Sequence, residues 1–242
     1  HSITKMSYLH FCSTELYCKR IIQMGEDPSR VFNSGAPGID NIVNLDLLSK
    51  DKLEENLDWK FSSKSALFTY HPVTLGKNDI PRDLKVILNV LIKTNINVLF
   101  TYANADNGGR FINQKIEEFC RLDPIKYKVV KSLGQLKYLS AMKHTDLLIG
   151  NTSSGIIEAA SFGKPVVNIG DRQKGRLKGN NVIDCNLDTL ESSINLAISG
   201  DFKEISQNTH NIYGVGIASD IILNELVEQE VFVTKKFIDS IP

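Results

Sequence analysis

The sequence has no excess of charge of either sign: 28 Lys and Arg balance 28 Asp and Glu over 242 residues. That excludes a general polyanion binder, so no nucleic-acid partner is expected. No apolar run approaches the roughly 20 residues that cross a bilayer, and no membrane partner is expected either. The opening residues HSITKMSY are polar, without the apolar segment of a signal peptide, so a cytoplasmic protein is expected. Cysteine is scarce: Cys12, Cys18, Cys120 and Cys185 lack metal-ligand or redox spacing, which fits reduced, partly buried thiols. An initiating Met is missing too. The chain opens on His1, so it is expected to be processed or a piece of something longer. What remains, 42% hydrophobic and 23% charged, suits one large or two small globular domains.

One stretch organises the rest: TDLLIGNTSSGIIEAASFGKPVVNIGDRQKGR, Thr145 to Arg176. It reads as strand, turn, helix, Gly-Lys-Pro break, strand and basic loop. Leu147-Leu148-Ile149 is a short apolar strand closed by Gly150. The run Asn151-Thr152-Ser153-Ser154-Gly155 offers caps for a helix at Ile156 to Ser161, because free hydroxyls and amides satisfy first-turn N–H groups. Those N–H groups also attract anions. Glu158 follows one helical turn beyond Ser154, on the same face. An anion pocket beside one carboxylate suits a nucleotide, with phosphate on the helix tip and ribose hydroxyls on the carboxylate. An ordinary capped helix with a surface Glu would read the same way.

Taken in order, the chain begins with a helix end, a strand at Tyr8 to Cys12 and a helix at Glu15 to Met24 capped by Ser13-Thr14. Val31-Phe32-Asn33 is a short strand, Ser34 to Gly38 a turn, and Ile39 to Leu48 a helix. Ser49 to Lys64 is charged and weakly patterned, helical in part, as in a linker or peripheral segment. Strands at Ala66–Tyr70, Asn97–Thr101, Tyr127–Lys131, Leu147–Ile149, Val166–Ile169 and Val182–Asp184 then alternate with helices at Ile80–Thr94, Gly109–Arg121, Gln135–Met142, Ile156–Ser161 and Leu187–Ile198. The strands are continuous apolar runs, the mark of a parallel sheet covered by helices on both faces. Ligands of such sheets sit beyond the carboxyl ends of the strands. The polar clusters fall there: His71, Asn104 with Asp106, Ser132, Asn151 to Ser154, and Asp171 to Arg176. After Asp201 the pattern changes. Asn211 to Gly216 is a turn, Ile217 to Glu230 an amphipathic helix, and the tail VFVTKKFIDSIP is mixed apolar and basic, as if it packs on something.

GNTSSGIIEAASFGKPVVNIGDRQKGR resembles the nucleotide-binding segment of the hydrolysing UDP-N-acetylglucosamine 2-epimerases. FTYHPVT, TYANADNGGR, the turn from Ser34 to Asp40 and NIYGVG fit the same family, in the right order and over nearly the whole chain. The non-hydrolysing relatives carry an Asp-Ser-Gly-Gly turn and no GDRQKGR. The resemblance implies an α/β chain with a Rossmann-like sheet, the second lobe of a two-lobe fold of the GT-B type. Residues 1–36 would be a remnant of the first lobe, 37–212 the nucleotide-binding lobe, and 213–242 helices returning to the first lobe. The family's acidic catalytic residues lie in the first lobe, so this fragment alone is expected to be inactive.

The implied reaction takes UDP-N-acetylglucosamine and water to N-acetylmannosamine and UDP, toward sialic acid, by loss of UDP and hydration of the resulting glycal. No cofactor or metal is called for if Arg and helix N–H groups steady the leaving diphosphate. Residue by residue, the resemblance makes Thr152 and Ser153 phosphate-binding hydroxyls and Glu158 the ribose carboxylate. Arg172 becomes a diphosphate arginine and Tyr138 an aromatic against uracil. The Leu133 backbone would pair with the uracil edge, and Ser34 and Asn104 would line the nucleotide and the rim, with Asp106 beside them. His71 and His1 are the implied catalytic or substrate-contacting histidines, whereas His10, His144 and His210 read as structural or solvent-exposed. The implied partners are the UDP-sugar, a first lobe of the same protein, and further copies in a dimer or tetramer. Two alternatives remain on sequence grounds: a hydrolysing 2-epimerase for UDP-diacetylbacillosamine, or a GT-B glycosyltransferase. A nucleotide-binding module without turnover is the non-enzymatic reading.

Overall fold

The computed structural model describes residues 1–62, 64–73, 79–230, 234–236 and 238. They divide into two compact units, His1–Leu45 with Asn211–Pro242, and Asp46–His210.

The terminal unit opens with α1 (Ser2–Met6), β1 (His10–Cys12), α2 (Glu15–Gln23), β2 (Val31–Asn33) and α3 (Pro37–Asn44). Thr14 caps α2, its side chain accepting from the Tyr17 amide at 3.3 Å. β1 and β2 pair in parallel, with the partners Phe11 and Phe32 stacked at 5.5 Å. His10 is buried and meets the buried Glu26 carboxylate at 3.0 Å. Burial raises the Glu26 pKa, but Lys235, Lys5 and His10 outweigh it and bring it down to about 2. Lys235, in the tail expected to pack on something, also donates to the Ser7 carbonyl at 2.7 Å. Residues 231–233, 237 and 239–242 of that tail lie outside the described residues.

The larger unit runs α4 (Lys50–Leu57), β3 (Ser65–Thr69), α5 (Ile80–Thr94), β4 (Asn97–Thr101), α6 (Gly109–Cys120), β5 (Tyr127–Val130), α7 (Gly134–His144), β6 (Leu147–Gly150), α8 (Ser153–Ile157), β7 (Val166–Ile169), β8 (Val182–Cys185), α9 (Leu190–Ala197) and α10 (Gly200–Gln207). Among the described residues its strands form one six-stranded sheet, ordered β5-β4-β3-β6-β7-β8, with all neighbours parallel. This is the expected Rossmann-like sheet. The order reverses between β3 and β6, so the crevice beyond their carboxyl ends is the topological switch point where such folds bind ligands.

The continuous apolar runs are explained by burial on both faces. Successive side chains of a strand point to opposite sides. Ala66, Phe68, Phe100 and Ile149 therefore join Ile87, Leu91, Ile112 and Ile194 in one cluster. Leu67, Leu99 and Leu148 join Leu53, Trp59 and Met142 in the other. Each large side chain so buried contributes about 1.5–3 kcal/mol before chain entropy is counted. Helix α5 has the expected bounds because its ends are marked chemically. Asp79 accepts from the Arg82 amide at 3.1 Å, Pro81 stands in the first turn, and Asn95 closes the helix in the left-handed region.

Several expectations need correction. The stretch from Ser49 to Lys64 is helical in part, as expected, but it is not a linker. Ser49 caps α4, and Leu53, Leu57, Trp59 and Phe61 enter the second core cluster, with the Trp59 ring nitrogen donating to the Ile125 carbonyl at 2.9 Å. The helix expected at Ile156 to Ser161 starts earlier and is short: α8 ends at Ile157, and a 3-10 turn, Ala159–Phe162, leads to Gly163 at φ +61. Helix α9 begins at Leu190 rather than Leu187, because Asn186 and Thr189 first exchange two backbone–side-chain bonds in a turn. α10 was not expected; Ser199 caps it, accepting from the Phe202 amide at 3.3 Å. Past the sheet unit, α11 (Ala218–Glu228) returns to the terminal unit. Helix α3 lies in that unit as well. The reason is Asp40, whose carboxylate accepts from the Ala218 and Ser219 amides at 3.0 and 2.7 Å.

Candidate functional site

Gly150 ends β6 at φ +137, and beyond it the chain turns at Asn151. The run from Asn151 to Gly155 was expected to supply the cap of the following helix. Within it Thr152 is the cap, accepting from the Ser154 amide at 3.4 Å, and Asn151 faces the other way. Its side chain is buried against the end of β3, where Oδ1 accepts from the His71 amide at 2.7 Å and Nδ2 donates to the His71 carbonyl at 2.8 Å. Its own amide donates to the Thr69 carbonyl at 3.1 Å. Its carbonyl accepts twice, from Arg172 Nη1 at 3.0 Å and from Gln173 Nε2 at 2.8 Å. One asparagine thus ties together the ends of β3 and β6 and the loop after β7.

His71 is half-buried beside it. Its Nδ1 accepts from the Asn104 amide at 3.1 Å, so that nitrogen is unprotonated and Nε2 carries the proton of the neutral ring. Burial lowers the His71 pKa, the Arg172 guanidinium lowers it further, and Asp106 acts in the opposite direction. Asn104 also donates to Asp106 at 2.7 Å, which orders the rim. Because the folded pKa lies below the ordinary 6.5, the unfolded chain binds more protons below that pH, so this residue makes stability rise with pH up to about 6.5 and has no effect above. The expected result is that His71→Asn flattens the thermal midpoint against pH below about 6.5 relative to the parent chain, with parallel curves above it. An equal slope in the two proteins would dissociate the acid sensitivity from His71.

On the other side of the turn, Tyr138 projects from α7. Its ring packs against the second core cluster. Burial raises the phenol pKa, the nearby hydroxyls of Ser154, Thr69 and Thr152 act to lower it, and the Glu158 charge acts to raise it. Glu158 is raised by burial too, with the Ser154 hydroxyl opposing. Thr152, Ser154, Tyr138 and Glu158 therefore surround one spot, with Ser153 at the first position of α8. α8 is only five residues long, so the donors at this spot are chiefly hydroxyls and the Arg172 loop rather than a long helix dipole. Leu133 precedes α7 with its side chain buried in the same cluster as Tyr138.

The two remaining expected residues lie in the terminal unit. His1 is exposed at the start of α1 without a side-chain cap. Ser34 is buried, and its hydroxyl proton faces the carbonyls of Cys12 at 3.4 Å and Gly35 at 3.1 Å. Sequence reasoning missed Gln173, which is 2% exposed within the basic loop. A cleft of 910 Å³ opens beyond β3, β7 and β8, lined in part by Tyr70, Asp83, Ile169, Lys178 and Cys185. His71, Thr152, Ser153 and Glu158 do not line it, but Tyr70 and Asp171, the sequence neighbours of His71 and Arg172, do.

Similarity to known proteins covers this whole arrangement. A family model described as UDP-N-acetylglucosamine 2-epimerase matches residues 1–227. A Campylobacter jejuni protein named GDP/UDP-N,N'-diacetylbacillosamine 2-epimerase (hydrolyzing) is 43% identical over 205 residues, 84% of this chain and 53% of its own length. Polysialic acid biosynthesis protein P7 of Escherichia coli is 37% identical over 220 residues, 88% of this chain and 55% of its own. The chain thus spans about half the length of these relatives. S. aureus MnaA, solved with UDP, shares the fold at a TM-score of 0.72 and 18% identity, over 93% of this chain and 60% of that one. With a family model matched almost from end to end, the chain belongs to the UDP-N-acetylglucosamine 2-epimerase family.

Proposed function

We propose that this chain carries the UDP-binding half of a hydrolysing UDP-sugar 2-epimerase. The observation that supports this most is the meeting of Thr152, Ser154, Tyr138 and Glu158 around one spot at the switch point, with Arg172 on the adjoining carbonyl. In this reading Thr152, Ser153 and Arg172 receive the diphosphate, Glu158 receives the ribose hydroxyls, and Tyr138 and the Leu133 backbone receive uracil. Asn104 lines the rim. His71, neutral with its proton on Nε2, donates to the sugar–phosphate side. The roles of His1 and Ser34 rest on the family resemblance alone.

The whole protein would take a UDP-2-acetamido sugar and water to UDP and the free 2-epimer. The C1–O bond to UDP breaks as the C2 proton leaves, and water then adds across the resulting double bond. Stabilising the departing diphosphate is the task of this half, since fixed donors and cations act where charge develops. The acid–base groups at C2 belong to sequence outside this chain. UDP-N-acetylglucosamine and UDP-diacetylbacillosamine are both substrates in keeping with the relatives, whose names cover diacetylbacillosamine and polysialic acid. Assembly as a dimer or tetramer and a cytoplasmic place of action go with the same reading.

Calorimetric titration of the chain with UDP tests the pocket. Glu158→Gln removes a charged acceptor from the ribose, and UDP affinity is expected to fall roughly tenfold or more. Unchanged affinity would remove Glu158 from the pocket. On the complete protein, release of a free 2-acetamido sugar without any acceptor is expected; strict dependence on an acceptor sugar would make it a glycosyltransferase.

A further inference from the structure

Arg172 and Gln173 are neighbours in the loop after β7, and both donate to the same carbonyl, that of Asn151, at 3.0 and 2.8 Å. They differ in every other respect. Arg172 is exposed, whereas Gln173 is 2% exposed. Donation from Nε2 fixes the orientation of the Gln173 amide, and its other end, Oε1, is buried without a hydrogen-bond partner among the described residues. A buried acceptor without a partner is costly. A methionine of similar length would fill the space without that cost, so stability alone does not account for a glutamine here.

The doubled bond does account for it. A guanidinium that swings its Nη1 onto a diphosphate gives up the carbonyl on which that nitrogen rests. If Arg172 were the sole donor, its departure would strand a buried backbone carbonyl, and binding would bear that cost. With Gln173 in place the Asn151 carbonyl stays satisfied whether Arg172 is on it or away. We propose that Gln173 is a positioning residue of the diphosphate site, holding the Asn151 carbonyl so that Arg172 is released to the ligand. This rests on the UDP reading given above.

The test is a double-mutant cycle on the whole chain with Gln173→Met and Arg172→Ala, titrated with UDP and with uridine. Gln173→Met is expected to weaken UDP on the order of tenfold, the factor for stranding one buried carbonyl, and to leave uridine affinity unchanged. Its thermal midpoint without ligand is expected to equal or exceed that of the parent, because Arg172 still satisfies the carbonyl. In the Arg172→Ala background the carbonyl is stranded with or without ligand, so the Gln173→Met step is expected to lower the thermal midpoint and to leave UDP and uridine affinity unchanged. Equal loss for UDP and uridine in the single variant, or a lowered midpoint with UDP binding intact, makes Gln173 merely structural and overturns the proposal. If the parent chain binds uridine and UDP equally or not at all, it is the UDP reading that fails instead.

Discussion

Asn151→Ala is expected to lower the stability of the chain by on the order of 3–5 kcal/mol and to abolish UDP binding. Two bonds from its side chain, at 2.7 and 2.8 Å, satisfy the amide and the carbonyl of His71. Both groups would be left without these partners, and each unsatisfied buried group costs about 1–3 kcal/mol. That is a large share of a typical total of about 5–15 kcal/mol. UDP binding goes with it, because the side chain is what holds His71 against the turn that carries Thr152 and Ser153. Denaturation in urea and calorimetry with UDP read the two losses separately.

Asn151→Asp sharpens the account. A carboxylate keeps the acceptor for the His71 amide but sets a second oxygen against the His71 carbonyl. Two facing acceptors repel, so the carboxyl favours its protonated form, which restores the donor. The folded pKa is then raised above the unfolded value of about 3.9. Stability contributed by that proton is present at low pH and lost as pH rises through the folded pKa. The variant should therefore gain on the parent as pH falls from the raised folded pKa toward about 3.9, opposite in sign to the His71 effect. A variant that falls in step with the parent would mean that Asn151 does not act by donating to His71.

How legible this was in the sequence depended on how local its causes are. The strands from Ala66 and Asn97 announce themselves because burial on both faces makes them apolar throughout. Asp79, Pro81 and Asn95 mark α5 at both ends. Thr152, Ser153 and Glu158 stood out because small hydroxyl residues before a helix have a local job. The role of Asn151 within that run was not legible, since its partner His71 lies 80 residues earlier. Gln173 gave no signal, because a glutamine among Arg and Lys reads as solvated, and its burial is decided by the turn it packs under. The α4 segment was legible in principle: Ser49 caps it, and Leu53 and Leu57 share a face that the surrounding charges obscured.

Gly150→Ala is expected to cost more than about 4 kcal/mol, beyond what most substitutions do. Gly150 pairs with Thr69 across the switch point, and a Cβ built on it would lie 1.9 Å from the Thr69 carbonyl oxygen. That oxygen accepts from the Asn151 amide, so neither partner can yield without opening the carboxyl ends of β3 and β6. The φ of +137° adds strain that a side chain rarely tolerates. Gly170, at the end of β7, is the control. Its φ is +70°, yet a Cβ there meets nothing within 4 Å, so Gly170→Ala should cost only the conformational strain of about 1–2 kcal/mol. Urea titration of the two variants separates the contributions, and equal losses would attribute the Gly150 effect to backbone strain alone. If the steric account holds, whatever Gly150→Ala protein remains folded should also bind UDP poorly. The same close approach that admits only glycine brings His71 and Asn151 within reach of each other, and that contact holds the site together.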